Sequence, residues 1–380
     1  MNDTTTILGL PLEFWFAGPF GIPFHIWSAF IAATGLIVGS FLNVVIHRMP
    51  LDQSVVSPPS HCPKCDHQIP LRHNMPVLSW LILRGKCADC GAPISPRYIA
   101  VELFTGLVFL ATWLTFGRSE PLMAGALCLL FAGFIAATFI DVEHLIIPDE
   151  ITIGGIVVGL LLSAAAPALQ GAANIPAAMK SSALGILVGG GVVYGVLRLG
   201  KLMFGRQKVE LEPDSVVVFH EAGVVLPSET VPYEELFYRR SDAVTFHAKR
   251  LELSDRCFVD RPVRLELRRE PPVLRVGDEI FEAEHEPWMS AVVDRVVLPR
   301  EAMGFGDVKF MAAIGAFLGW PATVFALMAS SVLGAVVALA LIATGRQNWS
   351  GRLGFGPYLA AAAMIWVFGG QTFVRHWLGY

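Results

Sequence analysis

Long apolar runs limit what this chain can fold into more than any other feature. A run of roughly 20 apolar residues can cross the hydrocarbon core of a bilayer, and the 380 residues contain several such runs. A mean hydropathy of +0.57 with only 16% charged residues is unusual for a soluble protein. We therefore expect a polytopic α-helical membrane protein with about eight transmembrane helices, the sixth of them short. The predicted spans are residues 24–46, 98–116, 121–140, 150–169, 181–204, 308–320, 321–343 and 354–372.

Charged residues are concentrated in one part of the chain. Residues 205–300 hold 14 of the 28 Lys and Arg residues and 19 of the 32 Asp and Glu residues. This segment is predicted to be a soluble insert with an acidic surplus. The net charge of -4 and the pI of 6.2 argue against a nucleic-acid-binding protein. The expected organisation is an N-terminal segment with the first span (1–46), a cysteine module (47–97), spans two to five (98–204), the insert (205–300) and the last three spans (301–380).

Within the insert, apolar and polar residues alternate with the period of a β-strand. The alternating segments are Val209–His220, Val244–Leu253, Arg261–Arg269 and Val273–Glu284. We expect a small β-rich domain of short antiparallel strands. Proline is rare inside strands, so the strands are expected to be broken at Pro213, Pro227, Pro262 and Pro271.

The distribution of basic residues predicts the orientation in the membrane. No Lys or Arg precedes Arg48, and the next two loops offer only Arg118 and Lys180. By the positive-inside rule, the 47–97 loop and the insert are expected to be cytoplasmic and both termini to lie on the other side. The apolar start lacks a basic first region and is not expected to be a cleavable signal peptide. The basic residues of the first cytoplasmic loop are Arg48, Lys64, Arg72, Arg84, Lys86 and Arg97.

Four cysteines form two Cys-x2-Cys pairs in the predicted cytoplasmic loop. Cys62 and Cys65 are separated by 21 residues from Cys87 and Cys90. Four thiolates in this pattern are typical of a tetrahedral zinc site, whereas the alternative, two disulfides, is disfavoured in a reducing compartment. A closed site of four sulfurs leaves no position for substrate, so we expect a structural zinc ion that lets a small polar loop fold. The nearby histidines (His61, His67 and His73) are expected to be solvated, and Cys128 and Cys257 to be ordinary thiols.

Two aspartates lie where apolar runs meet the predicted cytoplasmic side. Asp141 ends the third run, and Asp307 opens the sixth. Two aspartates that share one proton can act as base and acid in amide hydrolysis, with water as the nucleophile. Gly304 and Gly306, just before Asp307, permit close approach of the backbone.

A plainer alternative is that each aspartate only caps a helix. Asp149, which opens the fourth run, is the better candidate for a cap, and Lys309 is expected to be a positively charged anchor at the membrane surface. Glu143 and His144 are expected to be solvated residues of a turn.

Together, the motifs resemble those of the bacterial type IV prepilin peptidases, which are intramembrane aspartic proteases of the GxGD kind. The residues that carry the resemblance are Gly39 to Pro50, the cysteine module with Asn74 to Trp80, Ile94 to Tyr98 leading to Glu102, Asp141 to Asp149, Gly304 to Lys309 and Gly354 to Tyr358. The resemblance covers most of the membrane part but not the insert.

The resemblance implies that Asp141 and Asp307 are the catalytic pair, at the cytoplasmic face of the bacterial inner membrane. It implies cleavage of the basic leader of prepilins and of pilin-like secretion proteins (pseudopilins), and possible contact with pilus or secretion machinery. The cysteine module further implies N-methylation of the new N-terminus with S-adenosylmethionine, although the sequence has no Gly-rich fingerprint for that donor. The acidic insert could hold a basic leader, but a solvated surface is the favoured interpretation.

Two other classes of function are compatible with the residues. A proton-coupled transporter would use the carboxylates as a proton relay. An inactive scaffold would use the insert for assembly.

Overall fold

The chain forms two compact units. The computed structural model describes residues 6–7, 10–11, 16, 18–204, 206–220, 223–227, 230–237, 242–283, 286, 288–299, 304–346 and 353–378. One unit comprises Met1–Tyr194 and Phe305–Tyr380, and the other comprises Gly195–Gly304. We call them the membrane unit and the insert unit.

The membrane unit is built from helices. They are α1 (Phe24–Arg48), α2 (Leu78–Ile82), α3 (Pro96–Phe116), α4 (Pro121–His144), α5 (Asp149–Ala165), α6 (Ile175–Phe204, which runs into the insert unit), α8 (Phe305–Ala343), α9 (Gly356–Ile365) and α10 (Gln371–Leu378). A short helix of the insert unit, α7 (Tyr233–Leu236), lies between them in sequence. Two short strands, β1 (Thr6–Ile7) and β2 (Leu10–Pro11), pair near the N-terminus.

In the described part of the chain, six helical segments are long and apolar enough to span a membrane, which confirms the predicted polytopic membrane character. They are Phe24–Leu51, Pro96–Phe116, Pro121–His144, Ile175–Lys201, Phe305–Ala343 and Gly356–Val374. Two differences separate them from the eight predicted spans. The fourth predicted span is the 17-residue helix α5, and the sixth and seventh form one helical run, the 39-residue α8.

Helix α8 is broken at Gly319. This residue has φ 78° and ψ 175°, a conformation that residues with a side chain rarely adopt, and Pro321 follows two residues later. Pro321 has no N–H, and its ring disfavours a regular helix before it. The first part of α8, which carries Asp307, therefore ends at the break.

The carbonyl groups released by this break are paired with side chains from other elements. The side-chain amide of Gln170 donates to the carbonyl oxygens of Ala316 and Phe317 at 2.8 and 3.0 Å. The hydroxyls of Ser163 and Ser182 donate to the same Ala316 oxygen at 3.0 and 2.8 Å. Inside a membrane, such pairing is required wherever a helix is interrupted.

Small residues let the first part of α8 pack closely on α5 and α6. Gly185 of α6 and Gly315 of α8 face each other so closely that a Cβ on either would overlap the other's carbonyl group. A Cβ at Gly159 of α5 would lie 2.6 Å from the Phe317 ring. Close backbone approach through small residues is the usual way in which transmembrane helices associate. The helix that carries Asp307 is thereby held in a defined position.

Among the described residues of the insert unit, eight strands form one antiparallel sheet in the order β5-β4-β3-β10-β6-β7-β8-β9. The strands are β3 (Arg206–His220), β4 (Gly223–Val225), β5 (Thr230–Pro232), β6 (Val244–Glu252), β7 (Cys257–Glu266), β8 (Val273–Val276), β9 (Glu279–Glu282) and β10 (Met289–Pro299). Buried side chains such as Phe219, Phe246 and Leu251 form its core. The first and last strands of the insert are neighbours, with Arg206 paired to Pro299.

The sheet confirms the predicted antiparallel strands and corrects three details. The predicted segment Val273–Glu284 forms two paired strands, β8 and β9, rather than one. Pro213 and Pro262 lie inside β3 and β7, so the prediction that they break strands is wrong. The carbonyl of Pro262 accepts a hydrogen bond from the Gly277 N–H at 2.8 Å, although proline has no N–H to donate to the sheet. The sequence prediction also omitted β10, a central strand in which the apolar pairs Val292–Val293 and Val296–Val297 obscure the alternation.

Replacing Gly319 with alanine is expected to destabilise the membrane unit. The new Cβ would lie 2.6 Å from Gln170 Oε1 and 2.7 Å from Ser181 Oγ, in a backbone conformation that disfavours any side chain. We expect a cost of about 1–3 kcal/mol, measured as a lower thermal unfolding midpoint of the purified protein in detergent. Gly191→Ala is the matched control, because its Cβ would meet no atom within 4 Å. Equal midpoints for the two variants would contradict the assignment of strain to Gly319.

Candidate functional site

Asp141 lies in the last turn of α4 and is only 4% exposed. The helix ends three residues later, where Leu145 adopts a left-handed conformation with φ 56°. The Leu145 N–H donates to the carbonyl oxygen of Asp141 at 3.0 Å. The carboxylate therefore sits at the end of a helix but inside the protein.

Asp307 lies in the first turn of α8 and is 7% exposed. Gly306 beside it contacts Ile147, the buried residue between α4 and α5: a Cβ at Gly306 would lie 3.4 Å from the Cβ of Ile147. This contact brings the start of α8 to the end of α4.

An aromatic contact also joins the two helices. The rings of Phe134 on α4 and Phe310 on α8 pack edge to face with centroids 5.5 Å apart. Asp141 comes seven residues after Phe134 in α4, and Asp307 comes three residues before Phe310 in α8, which is about 10 Å and about 4.5 Å at a rise of about 1.5 Å per residue. Both buried aspartates therefore lie on the same side of this contact, at neighbouring ends of α4 and α8.

A loop distant in sequence completes the surroundings of Asp141. The N–H of Gly356, the first residue of α9, donates to Asp141 Oδ2 at 2.8 Å. In the sequence, Gly354 to Tyr358 contributed to the family resemblance but received no role. The fold shows that this segment touches an aspartate.

Ion pairs surround the site. Arg97 at the start of α3 pairs with Glu143, and Lys309 pairs with Asp149. The prediction that Asp149 caps a helix is wrong, because Pro148 occupies the N-cap position of α5 and Asp149 lies in the first turn. An acidic residue in this turn still interacts favourably with the helix dipole.

The four cysteines converge. Their sulfur atoms all lie within 4.8 Å of one another, and the sulfurs of Cys62 and Cys90 are 3.9 Å apart. A tetrahedral ion with metal–sulfur bonds of about 2.3 Å requires sulfurs about 3.8 Å apart. None of these cysteines forms a disulfide. Cys62, Cys65, Cys87 and Cys90 can therefore hold a tetrahedral metal ion.

Both cysteine pairs have the same backbone geometry. The Cys62 N–H donates to the His67 carbonyl at 3.0 Å, and the Cys87 N–H donates to the Ala92 carbonyl at 2.8 Å. The residue after each second cysteine, Asp66 or Gly91, is left-handed, with φ 58° and 69°. Each pair thus forms a tight turn that presents two sulfurs from one side.

The turn also favours a thiolate at Cys62. The backbone N–H groups of Lys64 and Cys65 lower the pKa of the Cys62 thiol to about 6, and a thiolate is the form that binds metals. The nearby histidines do not join the cluster in the described part of the chain. His61 and His67 instead lie 3.8 and 3.7 Å from the carboxylates of Asp66 and Asp89.

A buried carboxylate connects the cysteine module to the helices. Glu102 on α3 accepts a hydrogen bond from the Val77 N–H at 2.7 Å. Val77 has φ 63°, and the following Leu78 N–H donates to the Pro76 carbonyl at 2.6 Å. These features define a strained γ-turn. We infer that Glu102 helps to hold this turn at the edge of the module.

Comparisons with known proteins agree with the arrangement of these segments. A family model described as the bacterial peptidase A24 N-terminal domain matches residues 33–116. A second, described as the type IV leader peptidase family, matches residues 128–206 and 288–339. The two models contain the cysteine module and both aspartates and leave out most of the insert sheet.

Several curated proteins are similar to this chain. A prepilin leader peptidase/N-methyltransferase of Aeromonas hydrophila is 28% identical over 382 residues, which cover 94% of this chain and 96% of that protein. Proteins of the same name are 35% identical in Dichelobacter nodosus, covering 47% of this chain and 68% of the relative, and 46% identical in Myxococcus xanthus strain DK1622, covering 36% and 41%.

No solved structure matches the chain. The family models and the relatives nevertheless converge on one assignment. The chain belongs to the type IV leader peptidase family.

Proposed function

We propose that this protein is a prepilin leader peptidase with N-methyltransferase activity, and that Asp141 and Asp307 are its catalytic pair. Its family and its relatives' names support both activities. The observation that carries the catalytic assignment is the burial of two carboxylates at neighbouring ends of the packed helices α4 and α8. The proposed substrates are prepilins and pseudopilins.

In the proposed mechanism, the two aspartates share one proton. The ionised carboxylate takes a proton from water, and the resulting hydroxide attacks the scissile carbonyl carbon. The protonated partner donates its proton to the developing oxyanion. The first aspartate then passes the proton that it took from water to the leaving amine, the partner takes back a hydroxyl proton, and the C–N bond breaks. Ionising two carboxylates that lie close together in a low-dielectric site is costly, so one stays protonated while the other carries the charge.

The proposed methyl transfer requires S-adenosylmethionine, which supplies the methyl group. Among the described residues, no side-chain arrangement identifies a site for this donor. The reaction is therefore assigned to the chain through its family and not to particular residues.

We further propose that the four cysteines bind a structural zinc ion. The sulfur separations support it. With four protein ligands, such an ion would have no open position for substrate. Its proposed role is to stabilise the fold of the cysteine module.

The proposed setting is the bacterial inner membrane, crossed eight times, with the aspartates at the cytoplasmic face. The break at Gly319 supports counting α8 as two spans. The excess of Lys and Arg in the 47–97 loop supports its cytoplasmic location. A prepilin in the membrane would present its basic leader at that face.

The proton-coupled transporter considered from the sequence has no support. The family to which the chain belongs is a peptidase family, and the relatives described above are named peptidases. Contact with pilus or secretion machinery remains part of the proposal.

Neutralising either aspartate is expected to abolish cleavage. Asp141→Asn and Asp307→Asn each remove one partner of the acid–base pair, so we expect a loss of at least about 10²-fold in the rate of leader removal. Mass spectrometry of a co-expressed prepilin would measure it. Glu120→Gln, at the opposite end of α4, is the control and should cleave normally. Normal cleavage by either asparagine variant would refute the catalytic assignment.

Loss of one cysteine pair is expected to remove the metal. Purified protein should contain one zinc ion per chain, and the Cys62→Ser/Cys65→Ser double variant should contain none, because two sulfurs cannot complete a tetrahedral site. Elemental analysis measures the ratio. Cys257→Ser, which alters an exposed cysteine outside the cluster, should keep the ion. Unchanged metal content in the double variant would contradict the zinc assignment.

Removing the insert sheet is expected to leave cleavage unchanged. Arg206 and Pro299 are paired neighbours, so a short Gly/Ser linker can replace residues 207–298. If the acidic surplus is a solvated surface, kcat and KM for a substrate with a basic leader stay the same. An increase in KM that disappears with a neutralised leader would instead assign leader binding to the insert.

A further inference from the structure

The loop before α9 approaches the Asp141 carboxylate so closely that no side chain fits between them. A Cβ at Gly354 would lie 2.7 Å from Asp141 Cγ and 2.9 Å from its backbone oxygen. A Cβ at Gly356 would lie 2.9 Å from Asp141 Oδ2. Real Cβ atoms essentially never approach other atoms within 3.0 Å. Either substitution would therefore have to move the carboxylate or the loop.

Helix α9 offers one backbone donor to this carboxylate. Pro357 has no N–H, and the N–H groups of Tyr358 and Leu359 both donate to the Phe355 carbonyl at 3.2 Å. In the first turn, the Gly356 N–H therefore has its partner outside the helix, at Asp141 Oδ2. The partial positive charge of a helix N-terminus strengthens such a contact with a carboxylate, and an unpaired N–H in a membrane would be costly.

The loop is itself held in place by α8, the helix that carries Asp307. The rings of Phe355 and Tyr358 pack with centroids 6.1 Å apart. Both lie against Gly334, where a Cβ would be 3.4 Å from Phe355 Cε2 and 3.5 Å from Tyr358 Cδ2. The loop thus connects the second part of α8 to the end of α4.

We propose that Gly354 and Gly356 are positioning residues that hold Asp141 through Oδ2 and leave Oδ1 as the oxygen that gains and loses the proton during the reaction. This inference rests on the proposed function. Because a backbone N–H can only donate, Oδ2 must accept. Because a protonated oxygen is the weaker acceptor, this bond favours Oδ1 as the oxygen of Asp141 that carries a proton, which can be exchanged with water or with Asp307. The two glycines would control geometry and take no part in proton transfer.

The test uses full-length protein in lipid and compares two ligands. One is a prepilin substrate, and the other is a peptide in which a hydroxyl-bearing isostere replaces the scissile amide, as a transition-state analogue. For Gly354→Ala and Gly356→Ala, we expect kcat to fall about 10²-fold with KM unchanged, since a displacement of about 1 Å costs that much. Affinity for the isostere should fall in parallel. Gly191→Ala, with open space around its Cβ, is the matched control and should behave like the parent.

Three outcomes would overturn the inference. The alanine variants could keep the parental kcat. They could lose affinity for both ligands together, which would assign the glycines a purely structural role. Finally, their KM could rise while kcat stays the same. Asp141→Asn and Asp307→Asn are measured alongside. If both aspartate variants still cleave, the proposed function itself fails. If they are inactive while the glycine variants are fully active, only the positioning role fails.

Discussion

The interior of a bilayer offers no water to backbone groups, and much of the membrane unit depends on this constraint. A regular helix pairs its own backbone N–H and C=O groups, whereas the backbone groups at a helix break or a helix end need partners from elsewhere. At the break in α8, Gln170, Ser163 and Ser182 supply donors to the released carbonyls. At the start of α9, Asp141 accepts the N–H that the helix cannot use. One of these two irregular points coincides with a proposed catalytic residue.

Close helix packing fixes the positions of the helices that carry the two aspartates. Glycines on α5 and α6 hold the first part of α8, and the Phe134–Phe310 contact fixes α8 against α4. The aspartates are therefore carried by rigid elements, which restricts their movement more than loops would. The break in α8 allows the helix that carries Asp307 to end inside the protein.

The cysteine module and the insert reach stability by different routes. In the cysteine module, two turns of similar backbone geometry bring four sulfurs together, where they can hold a metal ion. The insert buries an apolar core beneath eight paired strands. The first and last strands of the insert sheet are paired neighbours, with Arg206 opposite Pro299.

Much of this architecture was predictable from contiguous residues. Apolar runs indicate helices in a bilayer because length and polarity alone decide whether a segment can cross. The cysteine spacing indicates a metal site because each turn is local. Asp141 and Asp307 stood out because charge is costly beside apolar runs. The central strand β10 was missed because its apolar pairs hide the period of two.

Only the tertiary structure decided which distant groups meet. Gly356 lies 215 residues from Asp141, and Gln170 lies 146 residues from the carbonyl that it caps. No local pattern encodes these pairs, because they depend on which helices pack together and how closely. The sequence by itself determined which segments enter the membrane and which side chains can do chemistry. Packing determined which backbone groups surround those side chains, because a hydrogen bond forms only where the fold brings a donor within about 3 Å of an acceptor.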